Sequence, residues 1–231
     1  MNILVTGASK GIGNIIAKEL SDCGDVFVTG RNENALKEFG KYCVCDLSEN
    51  LKPLENFIIE NKIDVIINNA GEYIYSAIEE MQCSDIEKLY KTNLIAPACL
   101  ISCAVPYMKK NNWGRIINIG SISGVMGEAF ASIYSSSKSG LLGLTKALAL
   151  ELAQYNITVN TINPGWVDTE LGANSINESD FSKEEILEII PQKRFVKPQE
   201  IAGFCRYLLS EDAKGITGQS INICAGLSVG I

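Results

Sequence analysis

Seven short β-rich runs recur along the chain, at residues 3–6, 26–29, 42–45, 65–68, 115–119, 158–162 and 220–223. Two of them, Asp64-Val65-Ile66-Ile67-Asn68 and Arg115-Ile116-Ile117-Asn118-Ile119, are apolar on both faces, which suits central strands of a parallel sheet covered on both sides. Between the runs lie helical patterns at 12–23, 33–39, 51–60, 84–104, 132–154 and 198–209. The last opens on Lys197-Pro198, with proline at a first helical position. Strands alternating with helices imply right-handed crossovers. The predicted fold is therefore α/β: a doubly wound, parallel, seven-stranded Rossmann-like sheet with helices on both faces.

No repeat, linker or low-complexity tract divides the 231 residues, so one domain over 1–231 is expected. Only the stretch 170–194 breaks the rhythm. It is polar, with a short helical pattern near 183–190, and is expected to form a substrate lid; the alternative is a surface insertion without a role.

Composition removes whole classes of chemistry. The chain has no histidine, which excludes Ser-His-Asp and Cys-His nucleophile systems and histidine metal sites, so no metal centre is expected. Proton transfer must fall to a carboxylate, lysine, cysteine or tyrosine. A net charge of −7 without a basic run argues against a nucleic-acid partner. The eight cysteines are scattered without a C-x-x-C pair, as in a reduced, cytoplasmic protein. No basic leader precedes the first strand. The most apolar window, 94–108, is shorter than the roughly 20 residues of a membrane span and reads as a buried helix.

Three constellations carry chemistry. Thr6-Gly7-Ala8-Ser9-Lys10-Gly11-Ile12-Gly13 joins the first strand to the first helix. There Gly7 permits the turn, Gly11 lets backbone approach a pyrophosphate, and Gly13 allows close helix packing, while the free helix-start N–H groups attract an anion. After the second strand, Arg31 stands where an NAD-preferring site would carry an acid. With Lys10 it offers two cations to a 2′-phosphate, the alternative being two ordinary surface charges. Tyr134 and Lys138 are four apart on one helix face, where an ammonium would lower the phenol's pKa, and Ser121 precedes them just after a strand.

Together with Asn68-Asn69-Ala70-Gly71, Asn93, Pro164-Gly165 and Ile216-Thr217-Gly218-Gln219, these motifs resemble, in order and over nearly the whole chain, the short-chain dehydrogenase/reductase family. Ile116-Ile117-Asn118-Ile119-Gly120-Ser121 is most similar to the β-ketoacyl-(acyl-carrier-protein) reductase branch. The resemblance implies a catalytic set in which Tyr134 donates a proton, Ser121 holds the carbonyl oxygen, Lys138 tunes Tyr134 and binds the nicotinamide ribose, and Asn93 continues a water relay. It implies cofactor contacts from Gly7, Ser9, Lys10, Gly11, Ile12, Gly13, Arg31, Asp46, Leu47, Asn69, Ala70, Gly71, Tyr134, Lys138, Pro164, Gly165, Val167 and Thr169. NADP(H) is expected over NAD(H).

The expected reaction is NADP(H)-dependent reduction of a ketone, with a 3-oxoacyl thioester as one candidate substrate and a role in fatty acid biosynthesis in view. Alternatives are a reductase of a sugar, steroid or other small carbonyl compound, and a non-catalytic dinucleotide-binding sensor or scaffold. A homo-oligomer, dimer or tetramer, is expected through the long apolar helices. Two departures stand out: residues 31–46 are short for the family, so the second helix must be clipped, and no cationic patch is evident for an acidic carrier beyond Lys109-Lys110, Arg194 and Lys197. Trp166 reads as core rather than as a substrate wall, and Asp168 as solvent-facing.

Overall fold

In the computed structural model, which describes residues 1–170, 172, 175, 176 and 182–229, seven parallel strands form one sheet in the order β3-β2-β1-β4-β5-β6-β7. They are β1 (Asn2–Thr6), β2 (Asp25–Gly30), β3 (Tyr42–Val44), β4 (Val65–Asn68), β5 (Gly114–Ile119), β6 (Ile157–Pro164) and β7 (Ser220–Ile223). Each of the seven runs seen in the sequence is a strand, and β4 and β7 have the expected limits. Consecutive residues alternate between two cores, as the pleat requires. Ile3, Val5, Ile67 and Ile117 face α1 (Gly11–Glu19) and its neighbours, while Leu4, Ile66 and Ile116 face the helices of the opposite layer. β5 and β6 are buried along their whole lengths, which explains their continuous apolar runs.

Between β2 and β3 the chain has room only for α2 (Glu33–Leu36) and a 3-10 turn, Lys37–Phe39, so the second helix is clipped as expected. Asn32 caps α2, its side-chain oxygen accepting from the Ala35 amide. The segment α3 (Lys52–Glu60) then leads to β4. The expected helix at 84–104 is longer than its apolar window suggested. It consists of α4 (Cys83–Tyr90), a π-helical turn at Lys91–Ile95, and α5 (Ala96–Asn111). By length and composition this rod, Cys83–Asn111, could cross a membrane, contrary to the expectation of too short a span. The fold instead buries Leu89, Leu100, Ile101 and Met108 from it, the last three in the layers around the sheet.

After β5 come α6 (Ser123–Met126), α7 (Ser132–Leu152), α8 (Lys183–Ile189) and α9 (Pro198–Leu209). A buried polar ladder ties α7 to the sheet. Asn68 Nδ2 donates to Asn118 Oδ1 at 2.9 Å, Asn118 Nδ2 donates to Thr145 Oγ1 at 2.9 Å, and the Thr145 and Thr161 hydroxyls meet at 2.7 Å. Buried polar side chains joined in this way fix a single arrangement, although Asn68 Oδ1 itself has no partner among the described residues, so the helix carrying Tyr134 and Lys138 has a defined register against β4, β5 and β6. Gly124 lets α6 lie against it: a Cβ there would sit 2.8 Å from the Lys138 carbonyl carbon. All eight cysteines are free thiols. Of the expected lid, residues 171, 173, 174 and 177–181 lie outside the described residues.

Candidate active site

The strand order reverses between β1 and β4, and at such a switch point the loops after the strands part to leave a crevice. A cleft of about 1250 Å³ opens there. Of the residues expected in the site, Gly13 and Asn93 lie behind the wall of this cleft and the others line it.

The glycine loop builds one end. Gly7 and Gly11 take positive φ, +68° and +59°, which other residues adopt only with strain. A Cβ on Gly13 would lie 2.4 Å from Asn69 Nδ2 and 2.5 Å from the Gly7 carbonyl oxygen, so glycine is a packing requirement there. Lys10 precedes α1 in extended conformation and caps it with no side-chain hydrogen bond, leaving first-turn N–H groups facing the cleft. Thr6 stitches this loop to the next: its hydroxyl accepts from the amides of Asn69 at 3.0 Å and Ala70 at 2.9 Å, while Asn69 Nδ2 donates to Thr6 O at 2.9 Å. Thr6 opens the glycine motif, yet the sequence alone assigns it no role of its own. Its signal, a hydroxyl at a strand end beside the glycines, was present in the sequence.

This end fits a dinucleotide pyrophosphate. Ser9 Oγ is buried with no partner among the described residues, and the uncapped helix start adds donors beside it. The two cations expected to meet a 2′-phosphate are both engaged by acids. Lys10 pairs with Glu170 at 3.0 Å; Arg31 pairs with Glu72 at 2.9 Å and lies 3.7 Å from Asp46.

At the other end, Ser121 follows β5, and α7 presents Tyr134 and Lys138 beside it. Lys138 does not acidify Tyr134 in the way its spacing suggested. Its Nζ donates to the Ile119 carbonyl at 2.8 Å and sits 5.8 Å from the centre of the Tyr134 ring. Burial pushes Lys138 down to about 8. Burial also pushes the Tyr134 phenol up to about 12, with the Ser121 hydroxyl opposing and the Glu128 carboxylate reinforcing the rise. Both side chains lose solvation of their charged forms, and in this arrangement that loss outweighs any attraction between ammonium and phenolate.

Asn93 lies in the π-helical turn, which aims its side chain at the loop after β4. Its Oδ1 accepts from the Glu72 amide at 2.8 Å, and its Nδ2 donates to Glu72 O at 2.9 Å and Ser137 Oγ at 3.1 Å. A Cβ on Gly71 would stand 3.3 Å from Lys138 Nζ and 3.4 Å from Asn93 Oδ1, so glycine keeps that point open to both.

Val167 pairs with Val196 as a short parallel bridge, which holds the loop after β6 over the cleft. Trp166 is half-buried, lines the cleft and stacks on Phe195 with ring centres 6.2 Å apart; it is a wall, not the core residue expected. Asp168 is exposed, as expected. Tyr73, Ser123 and Glu128 also line the cleft beside Ser121 and Tyr134. In the sequence Ser123 is set aside by its spacing to Tyr134, and Tyr73 lies in the loop 72–78 expected to bear on specificity. Nothing there marks Glu128, whose contact with Tyr73 spans 55 residues of sequence.

Residues 1–180 match the family described as short chain dehydrogenase. The chain is 38% identical to an uncharacterized oxidoreductase, YxjF, of Bacillus subtilis (strain 168), with 96% of each covered. It is 36% identical to the 3-oxoacyl-[acyl-carrier-protein] reductase FabG of Rickettsia conorii (strain ATCC VR-613 / Malish 7), covering 97% of this chain and 95% of that one. Among solved structures, a variant actinorhodin polyketide ketoreductase with NADPH superimposes with TM-score 0.91 at 34% identity, over 98% of this chain and 96% of that chain. The ordered motifs, the parallel sheet and these likenesses agree: the chain belongs to the short-chain dehydrogenase family and is an oxidoreductase of the nicotinamide-dinucleotide type.

Proposed function

We propose that this protein uses NADP(H) to reduce a ketone to a secondary alcohol. The observation that carries the reading is the convergence of Ser121, Tyr134 and Lys138 at one end of a cleft whose other end is the donor-rich start of α1. A bound dinucleotide supplies the hydride. Gly11, the first-turn amides of α1 and Ser9 bind its pyrophosphate, and Lys138, buried under the cleft floor, reaches its ribose. Pro164 at the end of β6 and Gly165, Val167 and Thr169 in the loop after it cover the dinucleotide, with Leu47 and Asp46 beside the adenine.

Ser121 and Tyr134 receive the carbonyl oxygen. As negative charge grows on that oxygen, the Ser121 hydroxyl stabilises it and Tyr134 Oη gives up its proton to form the alcohol. A phenol that burial holds near 12 is fully protonated at neutral pH, which suits a donor in the reductive direction. Reprotonation runs from Lys138 through a water seated at the open point above Gly71, with Asn93 Oδ1 as its second anchor.

NADP(H) is favoured over NAD(H) because Arg31 and Lys10 flank the adenosine end, although a 2′-phosphate must displace Glu72 and Glu170 from them. The substrate is read as a free ketone. The cations that an acidic carrier would need are partly spent internally: Lys109 lies 3.7 Å from Glu151, and Arg194 pairs with Glu200 at 2.7 Å. The test is NADPH consumption with a panel of free aryl and alkyl ketones and an acetoacetyl thioester. Turnover of free ketones, with kcat/KM for NADPH at least about tenfold above that for NADH, is expected from one charge-assisted contact. Comparable values for the two cofactors, or turnover of the thioester alone, would contradict it.

A further inference from the structure

Glu128 stands at the substrate end of the cleft and has no part in the reaction above. It follows the bend at Gly127, whose φ of +82° turns the chain sharply, and it is half-buried in the wall. Each of its carboxylate oxygens takes one hydrogen bond. Tyr73 Oη donates to Oε1 at 2.8 Å, and Ser123 Oγ donates to Oε2 at 2.6 Å. Ser123 in turn accepts from Ser121 Oγ at 3.1 Å, and the Tyr73 ring meets Tyr134 edge to face with centres 5.0 Å apart. The carboxylate thus touches, through one residue each, both side chains that receive the carbonyl oxygen.

A carboxylate offers about four acceptor positions, so two remain for a ligand in the cleft. Among the described residues no cation pairs with it. Among the described residues lining the cleft, the lysines and arginines are Lys10, Arg31 and Lys138; the first two sit at the dinucleotide end with their own acids, and the third points to the Ile119 carbonyl. A neutral amide could brace Tyr73 and Ser123 equally well, so bracing does not account for a charged group half-removed from water. The wall around it is largely apolar, with Met126, Phe130, Trp166, Ile186 and Ile189; Tyr75 and Glu185 also line it, and one Glu185 carboxylate oxygen is held by the amide and hydroxyl of Ser182.

We propose that Glu128 determines specificity. It accepts a hydrogen bond from a hydroxyl or ammonium group adjacent to the reacting carbonyl, and it repels substrates that carry a carboxylate or phosphate there. The substrate class is a hydroxy- or amino-ketone on an apolar body. This rests on the ketone-reductase reading above.

Three phenyl ketones differing only beside the carbonyl test it: phenacyl alcohol, propiophenone and benzoylformate, bearing a hydroxymethyl, an ethyl and a carboxylate. With NADPH and the full chain, kcat/KM for phenacyl alcohol should exceed that for benzoylformate, and Glu128→Gln should shrink that ratio at least about tenfold, as expected for removing one charge a few ångströms away. Glu128→Asp, which keeps the charge, should hold the ratio nearer the parent's. A ratio unchanged in Glu128→Gln overturns the proposal. Binding to the NADP⁺ complex, read from the fluorescence of Trp166 in the cleft wall, gives the same ordering without turnover: phenacyl alcohol tighter than benzoylformate supports the proposal, and the reverse or equality overturns it. If none of the ketones consumes NADPH the reductase reading fails, while the binding order still decides the role of Glu128.

Discussion

Replacing Tyr134 by Phe is expected to lower kcat/KM for ketone reduction by about 10²–10⁴-fold, the usual worth of a positioned general acid, while NADPH affinity changes by less than about threefold. The substitution removes one oxygen. The ring stays, and with it the edge-to-face contact with Tyr73 and the helix register fixed by the Asn68–Asn118–Thr145 ladder. No other described group at this end of the cleft can take over readily. Lys138 is held by the Ile119 carbonyl, and Tyr73 gives its hydroxyl proton to Glu128. Ser121, which turns from Ser123 to the carbonyl oxygen, is an aliphatic hydroxyl and a far weaker acid than a phenol. Steady-state rates with NADPH, set beside a fluorescence titration of the cofactor, separate the two effects. A Phe variant that keeps most of its activity would remove Tyr134 from the reaction.

The second large effect is expected at the opposite end of the cleft. In Gly13→Ala the new methyl group must occupy space 2.4 Å from Asn69 Nδ2 and 2.5 Å from the Gly7 carbonyl oxygen. The carbonyl belongs to the turn that shapes the pyrophosphate site, so the helix and the loop must separate. Overpacking of this kind costs about 1–3 kcal/mol. Because the same shift displaces the first-turn amides, NADPH affinity should fall at least about tenfold. Gly203→Ala in α9 is the control. Nothing lies within 4 Å of its Cβ position, so replacing a mid-helix glycine there should leave stability equal or raised by up to ~1 kcal/mol. Thermal unfolding of the two variants side by side reads the difference; equal behaviour would mean that the glycine loop has slack the packing does not suggest.

The fold was legible because its signals are local. Strands buried on both faces must be apolar throughout, so β4 and β5 stood out, and the proline opening α9 fixed its start. The rod from α4 to α5 was misjudged because its apolar window stops short of its polar ends, and helical geometry runs on through the π-turn at Asn93. Within the site, the residues fixed by spacing (Gly7, Gly11, Gly13, Tyr134 and Lys138) were legible, since each serves a motif of a few residues. The contact of Tyr73 with Glu128 was not, for the two meet only after the chain has folded. The direction of the Tyr134 shift was misread for a related reason. Spacing gives proximity but not burial, and burial moves both groups toward neutrality. Trp166 followed the same course: its composition signal is that of core, and only the loop after β6, held by the Val167–Val196 bridge, turns it into a wall.

A crystal structure of the full chain with NADP⁺ and the alcohol product decides whether Ser121 and Tyr134 receive the carbonyl oxygen. The alcohol oxygen should lie within about 2.6–3.2 Å of both Tyr134 Oη and Ser121 Oγ, with Lys138 Nζ on the ribose hydroxyls and the pyrophosphate against Gly11 and the start of α1. A dinucleotide bound with its nicotinamide away from Tyr134, or an alcohol oxygen in contact with neither hydroxyl, would contradict that assignment.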